Sequence, residues 1–433
     1  MNRIDATIGR RTAIKGLFAT MGLAAVPGLG ACGDSGSSGG GGGTGTVSLG
    51  SNYSDAVPKS ALEEVLKAFT QAQGIKVNTN TKDHEAFQQQ INSYLQSGAD
   101  DVWSWFAGFR LRFFAQKQLV GDISELWKTL EGNYTPAQKE ASTGNDGKQY
   151  FVPFYSYPWA VFYRPSVFQQ KGYAVPKTFD ELIALATKMK GDNIAPMAAG
   201  QKNGWPQLGT FDQINFRTNG YQFHVDLMAG KEDWAGQKVR DTFDNWKRLM
   251  EFYQPNSLGR DWQEAAQSVL KGEAGMMVVG SQQIGQQFSA GGKLDDLDFF
   301  AFPEINPAHG QDTIEAPIDG FCQAVKPRSK ADADKLLTYF STAQAQQTYL
   351  KSDPTSIAAS SKADSAAYNK LQQKCVKFVN EAKHITQFLD RDTDPGFASE
   401  VAINSVNDFI KNPGDVDGLV KKIASQAKQY FQK

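Results

Sequence analysis

The chain has little cysteine, little histidine and no surplus of either charge. Its 433 residues hold three cysteines, four histidines, and 45 Lys and Arg against 46 Asp and Glu. So few cysteines exclude a disulfide scaffold, and a formal net charge of −1 leaves no broad basic field to hold nucleic acid by counterion release. No second long uncharged apolar run follows the first thirty residues, which excludes a polytopic membrane protein. Catalytic signatures are missing as well. There is no G-x-S-x-G elbow, H-E-x-x-H, Walker motif or C-x-x-C pair, and no two of His84, His224, His309 and His384 stand at a metal-ligand spacing. Asp390-Arg391-Asp392-Thr393-Asp394 opens like a calcium loop, but Pro395 and Val401 occupy the places that require Gly and Glu. Neither a cofactor nor a metal is expected.

What is present begins with an address. Arg3, Arg10, Arg11 and Lys15 precede and enter an apolar stretch from Ile14 to Val26, broken by Gly16, Gly22 and Pro27. Residues 1–31 therefore read as a cleaved signal peptide of twin-arginine type. Leu29-Gly30-Ala31-Cys32 resembles a lipobox, which makes Cys32 the acylated first residue of the mature chain and a membrane anchor. Residues 32–46 are nearly all Gly, Ser and Thr, a flexible tether spanning roughly 20 Å. With Cys32 acylated, Cys322 and Cys375 remain, free to pair or to stay apart.

The body beyond residue 46 is long enough for two or three domains at roughly 150 residues each. Val47–Gly50 reads as a strand, Ser60–Gly74 as an amphipathic helix, Ile75–Thr79 as a strand, Glu85–Ser97 as a helix and Asp101–Trp105 as a third strand. Further helices are expected at 179–190, 239–253, 262–271, 330–340, 343–350 and 368–383, and over 401–432 with a break near Pro413. Strands are expected at 159–163, 275–279, 297–302 and 320–325. Strands alternating with helices predict parallel α/β sheets, whose ligands sit just past the carboxyl ends of strands.

Aromatics give the first hint of a ligand. All eight Trp precede residue 263. Trp246 falls on the apolar face of a helix and is assigned to the core, whereas Trp105, Trp159 and Trp205 stand at strand ends or in polar loops. A pyranose offers a C–H face that packs on an aromatic ring and hydroxyl edges that need Asp, Asn, Glu, Gln or Arg. Trp beside such residues in an exported chain points to sugar binding.

Several segments in order then carry a specific likeness. They are Asp101-Val102-Trp103-Ser104-Trp105-Phe106-Ala107-Gly108 with Arg110 and Arg112, then Gly147–Pro153, Trp159–Arg164, Val175–Leu182, Gly272–Met277, Ala316–Phe321 and Gln387–Asp392. From residue 47 onward the chain resembles the family 1 extracellular solute-binding proteins, carbohydrate-binding lipoproteins of ABC importers. Arg164-Pro165 departs from the family's usual basic pair, at a turn. The resemblance implies a periplasmic-binding-protein-like α/β fold: two α/β lobes, a hinge and an interlobe ligand cleft. Lobe one would hold residues 47–156 and 316–362, lobe two residues 157–315 and 363–433.

On that frame the candidate ligand-binding residues are Asn52 and Tyr53 after the first strand, Asp83, His84 and Glu85 after the second, and Trp105 at the end of the third. Tyr155 and Trp159 flank the first crossover. Trp205, Asp212, Gly280 and Gln282 would come from lobe two, with Asp319 at a later crossover and Arg391 and Asp392 beyond it. Asp83 is equally suited to capping a helix. The expected partners are a carbohydrate and the permease subunits of a membrane importer, to which the chain, as a monomer, delivers its solute without chemistry. An exported carbohydrate-active enzyme and a sensory or adhesive lipoprotein are the alternatives. Near-neutral charge gives no hint of a phosphate clamp.

Overall fold

The computed structural model describes residues 43–431, so the expected signal peptide, Cys32 and most of the expected tether lie outside the described residues. Among the described residues, twelve strands build two sheets. The first sheet takes β1 (Thr46–Ser51), β2 (Lys76–Thr81), β3 (Val102–Phe106) and β4 (Val152–Ser156). The second takes β5 (Trp159–Tyr163), β6 (Ala195–Ala198), β7 (Ala274–Gly280), β8 (Asp298–Phe300) and β9 (Thr313–Glu315). The chain returns to the first sheet with β10 (Ile318–Gln323) and β11 (Ile357–Ala358), and ends in the second with β12 (His384–Thr386). The sheet orders are β11-β4-β10-β3-β1-β2 and β12-β9-β5-β7-β6, with β8 beside β5.

Both sheets are mixed, which corrects the all-parallel expectation. β1 runs parallel to β2 and β3, but β10 is antiparallel to β3 and β4. The reason is the route of the chain: β10 enters the first sheet directly from β9 through Ala316-Pro317, with no crossover helix to reverse it. The chain passes between the sheets three times, at Tyr157-Pro158, at Ala316-Pro317 and through the helix Lys370–Glu381.

Local chemistry explains most elements. The helix Ala56–Gln73 buries Leu62, Val65, Leu66 and Phe69 on one face and stops at Gly74, whose φ of 66° is the left-handed conformation that glycine tolerates best. It begins before Ser60 because Pro58 sits in the first turn, where no backbone N–H is required. Thr178 and Asp261 cap the helices Phe179–Gly191 and Trp262–Lys271 through reciprocal capping boxes with Glu181 and Glu264. Trp246 is fully buried, packed on Phe243 and Phe409. Cys322 and Cys375 are both free and buried. No helix among the described residues is long and apolar enough to cross a membrane.

Candidate functional site

Where the two sheets face one another, a cavity that is partly open to solvent is lined from both sides. The ends of β1 and β2 contribute first. Asn52 is fixed by Ser104 of β3, accepting its Oγ–H at 2.7 Å on Oδ1 while its own backbone N–H donates to that Oγ at 2.9 Å. Its Nδ2 then stands 3.4 Å from His84 Nδ1. His84 and Glu85 begin the helix His84–Gly98, held against β1 by the His84 N–H donating to Ser54 Oγ at 3.0 Å. Tyr155 comes from β4, Tyr157 from the first crossing, Trp159 from β5 and Asp319 from β10.

From the second sheet's side come Trp205, Trp262 and three glutamines of one helix, Gln282, Gln283 and Gln286. The short helix Leu389–Asp392 adds Asp390 and Arg391, with Phe388 just ahead of it. Trp159, Trp205 and Phe388 form one aromatic group, with ring centres 4.8 to 6.4 Å apart. Trp159 fits there because two of its neighbours lack side chains. A Cβ on Gly209 would come within 2.4 Å of its ring, and one on Gly280 within 2.9 Å of its Nε1.

Charge at the site is arranged in pairs. Arg391 Nη1 lies 3.0 Å from Asp319 Oδ1, off the line a hydrogen bond requires. Its Nη2 donates to the Tyr157 hydroxyl at 3.0 Å, and its guanidinium lies 3.9 Å from the centre of the Phe106 ring. Arg110 Nη1 meets Asp390 Oδ2 at 3.4 Å and Gln88 Oε1 at 2.5 Å. Burial raises the Asp319 carboxyl above its ordinary range, against the pull of Arg391 and His84. Burial alone would lower Arg391, but Asp319, Tyr157 and Asp390 outweigh it and hold the guanidinium charged.

Six polar atoms on cavity-lining residues are buried without a hydrogen-bond partner: Tyr53 Oη, Trp159 Nε1, Gln283 Oε1, Asp319 Oδ1, Asp390 Oδ1 and Arg391 Nη1. A native structure rarely leaves so many such atoms together. Donors and acceptors mixed at this density, beside indole rings, suit a guest that carries both hydroxyl edges and an apolar face. Besides the pairs of Arg391 and Arg110, three hydrogen bonds to Glu85 and Asp55 cross between the sheets' sides at the cavity. Glu85 Oε1 accepts from Asn203 Nδ2 at 3.1 Å and from Trp205 Nε1 at 3.3 Å, and Asp55 Oδ1 accepts from Gln263 Nε2 at 3.4 Å.

The cavity brings together Asn52, Tyr53, His84, Glu85, Tyr155, Trp159, Trp205, Gln282, Asp319 and Arg391. Five expected residues do not line it. Trp105 points the other way: it shares a face of β3 with Trp103 and packs among Phe87, Phe114 and the Arg110 guanidinium. The next residue, Phe106, is the one at the cavity, as strand alternation requires. Asp83 caps its helix, accepting the Ala86 N–H at 2.9 Å. Asp212 accepts the Leu389 N–H and Asp392 the Gln387 N–H, each at 2.8 Å, so both hold the turn that presents Asp390 and Arg391. Gly280 acts through its missing side chain, leaving room for Trp159. Sequence reasoning missed Asp55, Gln88, Tyr157, Trp262, Phe388 and Asp390; the spacing of Gln282 and Gln286, one helical turn apart, was the signal that could have found the second glutamine.

A two-sheet α/β body with a polar, indole-lined cavity between its halves defines a receptor for a small polar solute. The family model described as "Bacterial extracellular solute-binding protein" matches residues 53–347, and the chain belongs to that family. An ABC transporter extracellular-binding protein of Pyrococcus horikoshii is 24% identical over 316 residues, 72% of this chain and 69% of the relative. A "Probable sugar-binding periplasmic protein" of Mesorhizobium japonicum is 28% identical over 224 residues, 50% of this chain and 53% of its own length. Among solved structures, the bacterial solute receptor AcbH, described as having an exclusive substrate preference for β-D-galactopyranose, is 41% identical. The match covers 89% of this chain and 99% of that one with a TM-score of 0.87. A chitin oligosaccharide binding protein shares the fold at 19% identity, with a TM-score of 0.81 over 90% of this chain and 99% of its own.

Proposed function

We infer that this chain is the sugar receptor of an ABC importer, capturing a single pyranose between two lobes and delivering it to the membrane permease without altering it. Residues 47–156 with 316–362 form one lobe, and 157–315 with 363–433 the other. The signal peptide exports the chain and an acylated Cys32 anchors it, as a monomer, on the outer side of the bacterial cell membrane. The observation that carries the reading is the set of six buried polar atoms without a hydrogen-bond partner around one cavity, lined by Trp159, Trp205 and Trp262. The 41% identity to AcbH supports D-galactopyranose as the first ligand to try.

Closure of the lobes would be part of binding, as in hinged receptors generally. A thermal-shift screen of the mature chain against mono- and oligosaccharides tests the reading. A ligand present at a hundredfold its dissociation constant adds roughly 2.7 kcal/mol to stability, so a true ligand raises the melting temperature visibly. D-galactose is expected to do so and to be recovered unchanged. No shift with any sugar, or a hydrolysed glycoside, contradicts the proposal.

A further inference from the structure

The charged groups at the cavity are unevenly matched. Asp55, Glu85, Asp319 and Asp390 line it against one guanidinium, that of Arg391, one imidazole, that of His84, and no lysine. The charge of Arg391 is already balanced: Asp319 faces it, Tyr157 accepts from it and Phe106 covers its flat side. Asp390 has Arg110 beside it. This leaves Asp55 and Glu85 with amide and indole donors alone, from Gln263, Asn203 and Trp205. Lys82, close by in sequence, stands instead over the Tyr94 ring. Burial raises the Asp55 carboxyl above its usual range, His84 pulls it back, and Glu85 and Asp83 push it up again, which shows how closely these carboxylates sense one another.

A ligand enclosed here exchanges water for these groups. A carboxylate or phosphate on the ligand would lose its hydration and meet four carboxylates against one guanidinium and one imidazole, an excess of like charge. A hydroxyl can donate to Asp55 or Glu85 as a charge-assisted hydrogen bond, and an ammonium group gains more still. We propose that the cleft sorts pyranoses by charge, accepting neutral and aminated rings and refusing carboxylated or phosphorylated ones, with Asp55 and Glu85 as the residues that refuse them. This rests on the sugar-receptor reading and adds to it a rule for which sugars are taken.

The test is calorimetric titration at pH 7 and low salt with D-galactose, D-galactosamine, D-galacturonate and D-galactose 6-phosphate. It is run on the native chain and on the double variant Asp55→Asn, Glu85→Gln. The amide oxygens still accept from Gln263, Asn203 and Trp205, so a general loss of closure would weaken all four ligands alike and leave their ratios unmoved. The native chain should bind the two anions at least a hundredfold more weakly than galactose. The double variant should narrow that ratio at least tenfold and weaken galactosamine at least threefold relative to galactose. Anions bound within threefold of galactose by the native chain, or ratios unchanged in the variant, overturn the inference and leave the receptor reading standing. A folded chain that binds none of the four overturns both.

Discussion

The Asp319–Arg391 pair offers the sharpest perturbation. Arg110, Asp390, Arg391 and Asp319 make a chain of alternating charges, two positive and two negative, with side chains between 4% and 11% exposed. Asp319→Ala leaves two guanidinium groups facing one carboxylate in a buried setting. Removing one partner of a buried pair typically costs about 3 to 5 kcal/mol, since the other charge is left uncompensated. Arg391→Ala should cost less at pH 7, because Asp319, whose carboxyl is already raised by burial, can take up a proton. A carboxyl whose folded pKa exceeds its unfolded value supplies stability that is complete at low pH and lost as pH rises through the folded pKa. Arg391→Ala should therefore regain stability as pH falls from 7 to 5. The double variant should lose at least about 1.5 kcal/mol less than the two single losses together. Urea unfolding followed by tryptophan fluorescence, extrapolated linearly to water, measures all three. Asp319→Ala should also weaken sugar binding about tenfold to a hundredfold, the worth of a hydrogen bond to a charged group. Additive losses within about 0.5 kcal/mol, or an Arg391→Ala variant indifferent to pH, would refute the reasoning.

Three further outcomes are expected. Trp105→Ala should lower stability by about 3 to 5 kcal/mol as a core truncation while leaving sugar affinity within about threefold, whereas Trp205→Ala should do the reverse, weakening binding at least about tenfold with a small change in urea midpoint. Gly209→Ala, which would drive a methyl into the Trp159 ring, should cost about 1 to 3 kcal/mol as overpacking and displace the indole, seen as lost binding and a shifted fluorescence maximum. Burial pushes His224 down to about 3, so the folded chain keeps it neutral while the unfolded chain protonates it below about 6.5. Its stability is present above that pH and drains as pH falls. Between pH 6.5 and 5 the native chain should lose about 1.5 kcal/mol more than His224→Gln. Asp392, raised to about 6 mainly by burial, acts in the opposite sense in both proteins and cancels from the comparison.

Local pattern made much of the scaffold legible, because one-sided apolar helices such as Ala56–Gln73 and capped starts such as Thr178 depend on neighbours in sequence. The direction of β10 did not, since it follows from where the chain re-enters the sheet. The site shows the same division. Positions after strands found Asn52, Tyr53, His84 and Glu85, and the first crossover found Tyr155 and Trp159, yet the run Trp103-Ser104-Trp105-Phe106 carries aromatics on both faces, so alternation alone could not say which ring meets the cavity. Carboxylates were harder. Asp83, Asp212 and Asp392 look in sequence like Asp55, Asp319 and Asp390, and they differ only in finding a backbone N–H to accept or a cavity to face. That choice is tertiary.

The most direct measurement is an isothermal titration of the mature chain with D-galactose, repeated on Trp205→Ala. One ligand bound per chain, with affinity lost in a variant that still melts as the native chain does, is the predicted result. No heat from the folded native chain, or undiminished binding without the indole, would contradict the account.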